Sequence, residues 1–256
     1  MPEASVLQAI LAGWRDWPLP ISAPPKLLGP IPGGRTNRNF KLLAPGVKQP
    51  LILRINNPRA RYLGIDRNDE AQIVHTAARA GLTPEPVYRD PAHRFALLPF
   101  IEARTWHSAD FANPLQRNRL LTLLEQVRCL NPATHRRSYQ RYLEQYWTLL
   151  SAVGELEGEL TERWQAFLPE LIAFDRDNWP AELTHHDLIP ENVLDTGGRL
   201  YLIDWEYAAL GHADIDLWSI RPSLARNPFV HELARWTNEL WERVVRSLKD
   251  RQLPPA

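Results

Sequence analysis

The chain lacks several things that would point to particular functions. Cys129 is its only cysteine in 256 residues, so no disulfide closes within the chain, which suits a reducing compartment and points to the cytoplasm. An excess of charge of either sign is missing too, because thirty Lys and Arg balance thirty Asp and Glu. With no net field to steer it, neither nucleic acid nor an anionic membrane is expected as a partner. The opening MPEASVLQAILAGW carries an acid early and lacks a basic stretch followed by an unbroken apolar run, so it does not read as a secretory signal. Long apolar runs are absent: Phe95–Ile101 is far too short to span a bilayer and contains Pro99. No internal repeat or low-complexity segment is found.

What is present is the composition of an ordinary globular protein, 44% hydrophobic and 23% charged. The length allows one large domain or two modest lobes with an ample core. Its 23 prolines exceed the usual share of about 5%, and many fall at loop positions. Apolar spacing predicts a helix over Ser5–Trp14. Leu27–Pro32 and Lys41–Leu43 form a hairpin around a Gly/Asn turn, and Leu51–Ile55 (LILRI) is a third strand. Asp66 caps a helix over Asp66–Ala80 that Gly81 stops. Pro86–Tyr88 and Arg94–Leu98 are two further strands. Beyond Pro99–Glu102, helical spacing dominates over Pro114–Leu130, Arg141–Val153, Glu162–Phe174, Ile215–Ile220 and Val230–Leu248. The expected class is α+β, with a small antiparallel-sheet lobe over residues 1–101 and a larger, mainly helical lobe over 102–256.

Leu183–Glu206 reads LTHHDLIPENVLDTGGRLYLIDWE. It places Asp187 and Asp204 either side of a short hairpin, with Asn192 five residues after the first acid. Such a stretch reads as a catalytic loop, a tight turn, and a strand ending in a metal-binding carboxylate. Phosphoryl transfer needs a cover over the phosphates, a cation on them, Mg²⁺, and a carboxylate to receive the acceptor's proton. Asp187 is the candidate base, and His185 either orients the loop or joins the chemistry. Asn192 and Asp204 offer the oxygens that a hard cation takes. Glu206 shares a face with Asp204 if the strand continues, and so reaches a second metal or its waters. Asn192 could instead serve an Asx-turn, and Glu206 could be a solvated charge. Gly33 and Gly34 allow close backbone approach to a phosphate, while Thr36, Asn37 and Asn39 donate to phosphate or close the turn.

HHDLIPEN followed by LIDWEYA closely resembles the catalytic and metal motifs of the choline kinase, thiamine kinase and aminoglycoside phosphotransferase superfamily, relatives of the protein kinases. PGGRTNRNF is similar to the phosphate loop of its choline and thiamine kinase branch, and the motif order matches from about residue 28 to about residue 220. The resemblance implies a protein-kinase-like two-lobed fold, with ATP and Mg²⁺ as cofactors. It makes Asp187 the base, Asn192 and Asp204 the Mg²⁺ ligands, and Glu70 the partner of a strand-borne cation. That cation is Arg54 here, where most kinases carry Lys, and Arg is not a neutral replacement for a compact ammonium. Leu97–Glu102 looks like the hinge that meets adenine. Asp216 suits the place of an acid supporting the catalytic loop, or is simply a helix N-cap.

Ten tryptophans bear on the acceptor. Trp205, Tyr207 and Trp218 lie next to the proposed metal site and are tentative substrate residues, since an aromatic cage attracts a quaternary ammonium. At helical spacing such rings are more often core. Glu155, Glu159 and Glu162 would share one face and meet a polycation, or be solvated. The expected function is ATP-dependent phosphorylation of a small cationic alcohol such as choline, ethanolamine or thiamine. A sugar or aminoglycoside phosphotransferase, or a catalytically silent kinase-fold protein, is the alternative.

Overall fold

The structure, a computed structural model, describes residues 3–34 and 36–250. A five-stranded antiparallel sheet in the order β1-β2-β3-β5-β4 organises the first part. Its strands are β1 (Lys26–Ile31), β2 (Arg38–Leu43), β3 (Leu51–Ile55), β4 (Tyr88–Arg89) and β5 (Phe95–Pro99). Leu51, Leu53 and Ile55 alternate onto one face and pack with Leu42, Phe95, Leu97 and Trp17. Period-two alternation therefore turns Arg54 to the other face, at the centre of the sheet. Helix α1 (Glu3–Ala12) lies against the apolar face of this sheet through Val6, Leu7 and Ile10.

Helix α2 (Arg67–Arg79) forms where the sequence places it. The Asp66 carboxylate accepts from the Asn68 and Asp69 amides, and Gly81 follows the helix at φ 73°. Its buried face is Glu70, Ile73, Val74 and Ala77. Three of these are apolar, so the one buried acid needs a specific partner.

The second part is mainly helical: α3 (Ser108–Ala112), α4 (Pro114–Arg128), α5 (Tyr139–Ala152), α6 (Gly158–Arg176), α7 (Asp214–Ile220) and α8 (Pro228–Asp250). One core joins α5, α6 and α8 through Leu143, Leu150, Trp164, Phe167, Trp236 and Leu240. A second joins α2 and α4 to the hairpin of the Leu183–Glu206 stretch through Ile73, Leu120, Leu124, Trp106, Val193, Leu202 and Trp205. Each fully buried Leu contributes about 1.5–3 kcal/mol relative to exposure.

Two small sheets carry the Leu183–Glu206 stretch. β6 (Arg104–Thr105), β8 (Val193–Asp195) and β9 (Leu200–Leu202) form one, and β7 (Glu182–Thr184) pairs with β10 (Ala209–Gly211) in the other. The strand expected to run through Asp204 to Glu206 stops earlier. Asp204 takes a left-handed conformation (φ 62°, ψ 60°), and Trp205–Tyr207 wind a 3₁₀ turn. Burial of the Trp205 ring, whose Nε1 donates to the Leu202 carbonyl at 3.0 Å, draws the chain out of the strand. Glu155 also departs from expectation. Gly154 ends α5 at φ 74° and α6 starts only at Gly158, so Glu155, Glu159 and Glu162 do not share one helical face.

Candidate active site

The loop from His185 to Asn192 is hung from a single carboxylate. Asp216, on the first turn of α7, accepts from the His185 amide at 2.8 Å and the His186 amide at 3.0 Å. It is buried, and it supports the loop instead of capping its helix, which begins after Ala213. Burial pushes its carboxyl up from the ordinary range, and the two amides oppose that shift. His185 is fully buried, with its ring 4.9 Å from that of Trp205. Its Nε2 donates to the Ile203 carbonyl at 3.0 Å, tying the loop to the approach to Asp204. Burial lowers the His185 pKa and keeps it neutral, so it positions the loop.

His186 takes φ 62°. Its Nδ1 lies 3.1 Å from the Thr184 carbonyl and its Nε2 3.0 Å from the Tyr139 hydroxyl. A carbonyl only accepts, so Nδ1 carries the proton and Tyr139 donates to Nε2. Backbone held in the left-handed region at both His186 and Asp204 marks the two ends of the loop and fits a functional site.

Asn192 Nδ2 donates to the Asp187 carbonyl at 2.8 Å and to Asp187 Oδ2 at 3.2 Å. With the nitrogen turned to Asp187, the amide oxygen is the atom left for a cation. Asp204 lies where Arg54 Nη2 approaches its Oδ1 at 3.6 Å, with 36% of its side chain exposed. Enclosure among its neighbours, with repulsion from Glu70 and Asp187, pushes its carboxyl up against the pull of Arg54.

Beside these acids lies a buried lattice of charge. Arg54 Nη1 donates to Glu70 Oε1 at 2.6 Å, the expected pair. Arg54 Nη2 donates to Glu206 Oε2 at 3.0 Å. Arg67 Nη1 reaches Glu70 Oε2 at 2.6 Å and Glu206 Oε2 at 3.0 Å. Arg67 was not singled out from the sequence, although an Arg three residues before a helical Glu is a pairing signal. Burial opposes ionisation of Glu70, but Arg54 and Arg67 outweigh it and hold the carboxyl down at about 2. For Glu206, burial and then Asp204 win, pushing it up to about 6.

Glu206 is thus turned into the arginines and not out beside Asp204, because the 3₁₀ turn replaces the strand. Asn37 is likewise turned inward. Its Nδ2 donates to Glu206 Oε2 at 2.7 Å, and its Oδ1 accepts from Arg67 at 3.0 Å and the Asn57 amide at 3.2 Å. It closes the loop base instead of facing a phosphate. Asn39 lies on β2 opposite Arg54. Gly33 sits at φ 108°, and a Cβ at Gly34 would lie 2.3 Å from the Asn37 carbonyl oxygen, so the turn requires glycine there. Arg35, within the loop motif, lies outside the described residues.

The aromatic candidates separate. Trp205 is 1% exposed and is core, packed under His185. Tyr207 is also buried, its hydroxyl accepting from Trp241 Nε1 at 2.7 Å. Trp218 lines a cavity of about 760 Å³ with Asp187, Phe111, Arg117 and Asn238. A larger cavity of about 2490 Å³ lies between α1, the Asn56–Asn68 segment and α5, and touches the site only through Gly34, Thr36, Asn37 and Arg67. Among the described residues, no three His, Cys, Asp or Glu side chains converge as a metal cage. A carboxylate and an amide oxygen nevertheless suit Mg²⁺, which completes its shell with water and substrate phosphates.

Residues 28–252 match the model of the phosphotransferase enzyme family. Protein LicA of Haemophilus influenzae is 30% identical over 200 residues, covering 73% of this chain. The chain spans 56% of that protein's length. A choline/ethanolamine kinase family protein from Mesorhizobium loti superposes with a TM-score of 0.61 at 24% identity, over 95% of this chain and 82% of that one. Choline kinase LicA from Streptococcus pneumoniae gives 0.68 at 17% identity, over 98% and 93%. These two likenesses show the fold, the two-lobed protein-kinase-like one. With the family match spanning nearly the whole chain, the protein belongs to the phosphotransferase enzyme family.

Proposed function

We propose that the protein transfers the γ-phosphoryl group of ATP to the hydroxyl of a small metabolite, with choline and ethanolamine the leading acceptors. One observation carries this reading: Asp187, Asn192 and Asp204 converge beside the buried Arg54–Glu70 pair, on a loop fixed by Asp216. Membership in the phosphotransferase family supports the reaction, and similarity to LicA and to choline/ethanolamine kinases supports the acceptor class.

In this mechanism the acceptor oxygen attacks the γ-phosphorus, the bond to the ADP oxygen breaks, and the acceptor proton passes to Asp187. Asn192, bonded to Asp187 Oδ2, keeps that carboxylate aimed. Arg54 is held by Glu70 and Glu206 with its guanidinium toward Asp204, where its planar fork suits phosphate oxygens. Asp204 and Asn192 would hold Mg²⁺, which when bound neutralises charge on the phosphates. The two acids Asp204 and Asp187, close enough for repulsion to raise the Asp204 pKa, fit a divalent cation. Gly33 and Gly34 would cover the phosphates, and Leu97–Glu102 would meet adenine. The nucleotide-binding lobe is residues 1–101 and the acceptor lobe 102–256. We place the protein in the cytoplasm on its single, exposed cysteine; no helix among the described residues is long and apolar enough to cross a membrane.

A coupled ADP-release assay with Mg·ATP and choline, ethanolamine, thiamine, an aminosugar and an aminoglycoside tests this. Acceptor-dependent turnover with choline or ethanolamine is expected. Turnover only with a sugar or aminoglycoside would overturn the acceptor class, and none with any alcohol would overturn the enzymatic reading.

A further inference from the structure

His186 stands between His185, which ties the loop to Ile203, and the proposed base Asp187, and its side chain takes no part in the phosphate chemistry. Its imidazole and Asp187 line the same cavity of about 760 Å³. A histidine beside a base invites a catalytic reading, and the hydrogen bonds exclude it. Nδ1 donates to the Thr184 carbonyl at 3.1 Å and Nε2 accepts from the Tyr139 hydroxyl at 3.0 Å, so neither nitrogen is open to a substrate proton. Burial pushes the imidazole well below its ordinary range, and the charge of Arg137 acts in the same direction, so the ring stays neutral.

The ring is held from two further elements. Tyr139, the first residue of α5, is buried, and its hydroxyl accepts from the His212 amide at 2.8 Å while donating to His186. Its own amide donates to Asp175 Oδ1 at 3.0 Å, which fixes the start of α5. Gly211, on β10, closes the third side: a Cβ there would lie 2.5 Å from His186 Cε1 and 2.6 Å from the Tyr139 hydroxyl. The imidazole is therefore pinned at each nitrogen and boxed by a strand. It hangs from the left-handed residue immediately before the base (φ 62°). Such a conformation persists only where its surroundings over-determine it. Rotation there would redirect Asp187 before any other residue of the loop.

We propose that His186 is a positioning residue for Asp187, its imidazole clamped by Tyr139 and Gly211 so that the carboxylate faces the cavity the two residues share. This rests on the reading of Asp187 as the base. The clamp is separate from Asp216, which holds the loop by the amides of His185 and His186 and touches neither ring nitrogen of His186. Asp216 fixes where the loop hangs, and the clamped ring fixes how it is turned. The second hold comes from α5 and β10, so the aim of the base depends on residues distant from it in sequence.

The test separates the ring from the backbone. His186→Asn keeps a residue suited to the left-handed region, with a side chain too short to replace Nε2. Its kcat should fall at least about tenfold with KM for ATP within about twofold, because a small misplacement of a catalytic group is costly. Tyr139→Phe removes only the hydroxyl and should lower kcat in the same way. Both changes break one bond, so the double variant should lie within about twofold of the worse single one. Tyr139→Phe also leaves the His212 amide without its acceptor, and Ser138→Ala supplies the stability control. That change removes a hydroxyl bonded to Asp175 at 2.6 Å and should lower Tm with kcat unchanged. A His186→Asn enzyme with wild-type kcat would overturn the proposal. So would a double variant that multiplies the two effects, or Ser138→Ala lowering kcat as far as Tyr139→Phe does. The clamp itself is read without turnover from the nitrogen NMR signals of the His186 ring. Nδ1 should be protonated and the Nε2 signal should move in Tyr139→Phe; an unmoved signal would show that no clamp exists. Should it move while Asp187→Asn keeps its turnover, Asp187 is not the base and the clamp stands as a hold on the loop.

Discussion

Glu70 offers the sharpest test of the charge lattice, through the substitution Glu70→Gln. The change keeps the side chain's shape and removes its charge, placing an amide nitrogen where one of the two arginines donates. Glu206 would still hold Arg54 and Arg67, so the fold survives. The magnitude follows from the depressed carboxyl. A fall from the ordinary 4.5 to about 2 corresponds to roughly 3 kcal/mol of stability at neutral pH. For a chain of this size each kcal/mol moves Tm by about 2–4 °C, so a loss of about 6–12 °C is expected. The sign with pH is fixed by the direction of the shift. A carboxyl depressed in the folded state contributes fully above its unfolded pKa and loses that contribution as pH falls toward its folded one. The gap between wild type and variant should hold at roughly 3 kcal/mol from pH 7 to about 4.5 and shrink to about 2 kcal/mol near pH 3.5. Urea melts at these three pH values measure it. A gap below about 1 kcal/mol at pH 7, or one that widens on acidification, would refute the claim that the ionised Glu70 is stabilised by the two arginines.

Three other substitutions probe the loop. Asp187→Asn should cut turnover at least ~10²-fold with nucleotide affinity near normal, and surviving turnover would remove Asp187 as the base. Asp204→Ala should abolish the Mg²⁺ dependence of nucleotide binding in a titration; unchanged Mg·ATP affinity would take the cation away from this residue. Asp216→Asn leaves one acceptor for the two amides of His185 and His186, so a loss of about 1.5–3 kcal/mol in denaturant melts is expected. Its kcat should fall while KM for ATP stays within about twofold, and a fall in KM-dependent steps alone would show that the loop is held by something else.

The parts of this molecule legible in the sequence are those written by local rules. The Asp66 cap follows from spacing and propensity, whereas the Arg54–Glu70 pair is what the family resemblance implies, with the alternation of LILRI turning Arg54 away from the core. The resemblance suits Asp216 to loop support with a helix N-cap equally open, and the two hydrogen bonds that decide between them are visible only in three dimensions. The two- and three-residue strands β6, β7 and β10 left no trace, since a period of two cannot show in so few positions. Glu206, read as reaching a second metal or as a solvated charge, is buried against the arginines, while Asn37 takes the turn-closing alternative the sequence left open. Both are polar residues near a phosphate motif, and both are consumed by Arg67, 139 and 30 residues away in sequence. The aromatic residues Trp205 and Tyr207 look surface-ready beside an acidic motif, yet the left-handed residue at Asp204 swings them inward.

That single Glu206 oxygen has a mechanical consequence. Oε2 receives donors from Asn37 in the glycine loop, Arg54 on the central strand and Arg67 on α2, three separate segments of the first lobe. Glu206 itself belongs to the second lobe, which makes it a rivet between the two. Arg59, donating to the Leu248 carbonyl at 2.7 Å, adds a fastening at the far end of α8. Here α2 is pinned to the opposite lobe through Arg67, so its release would break contacts on both sides at once. The two lobes should therefore melt together as one cooperative unit.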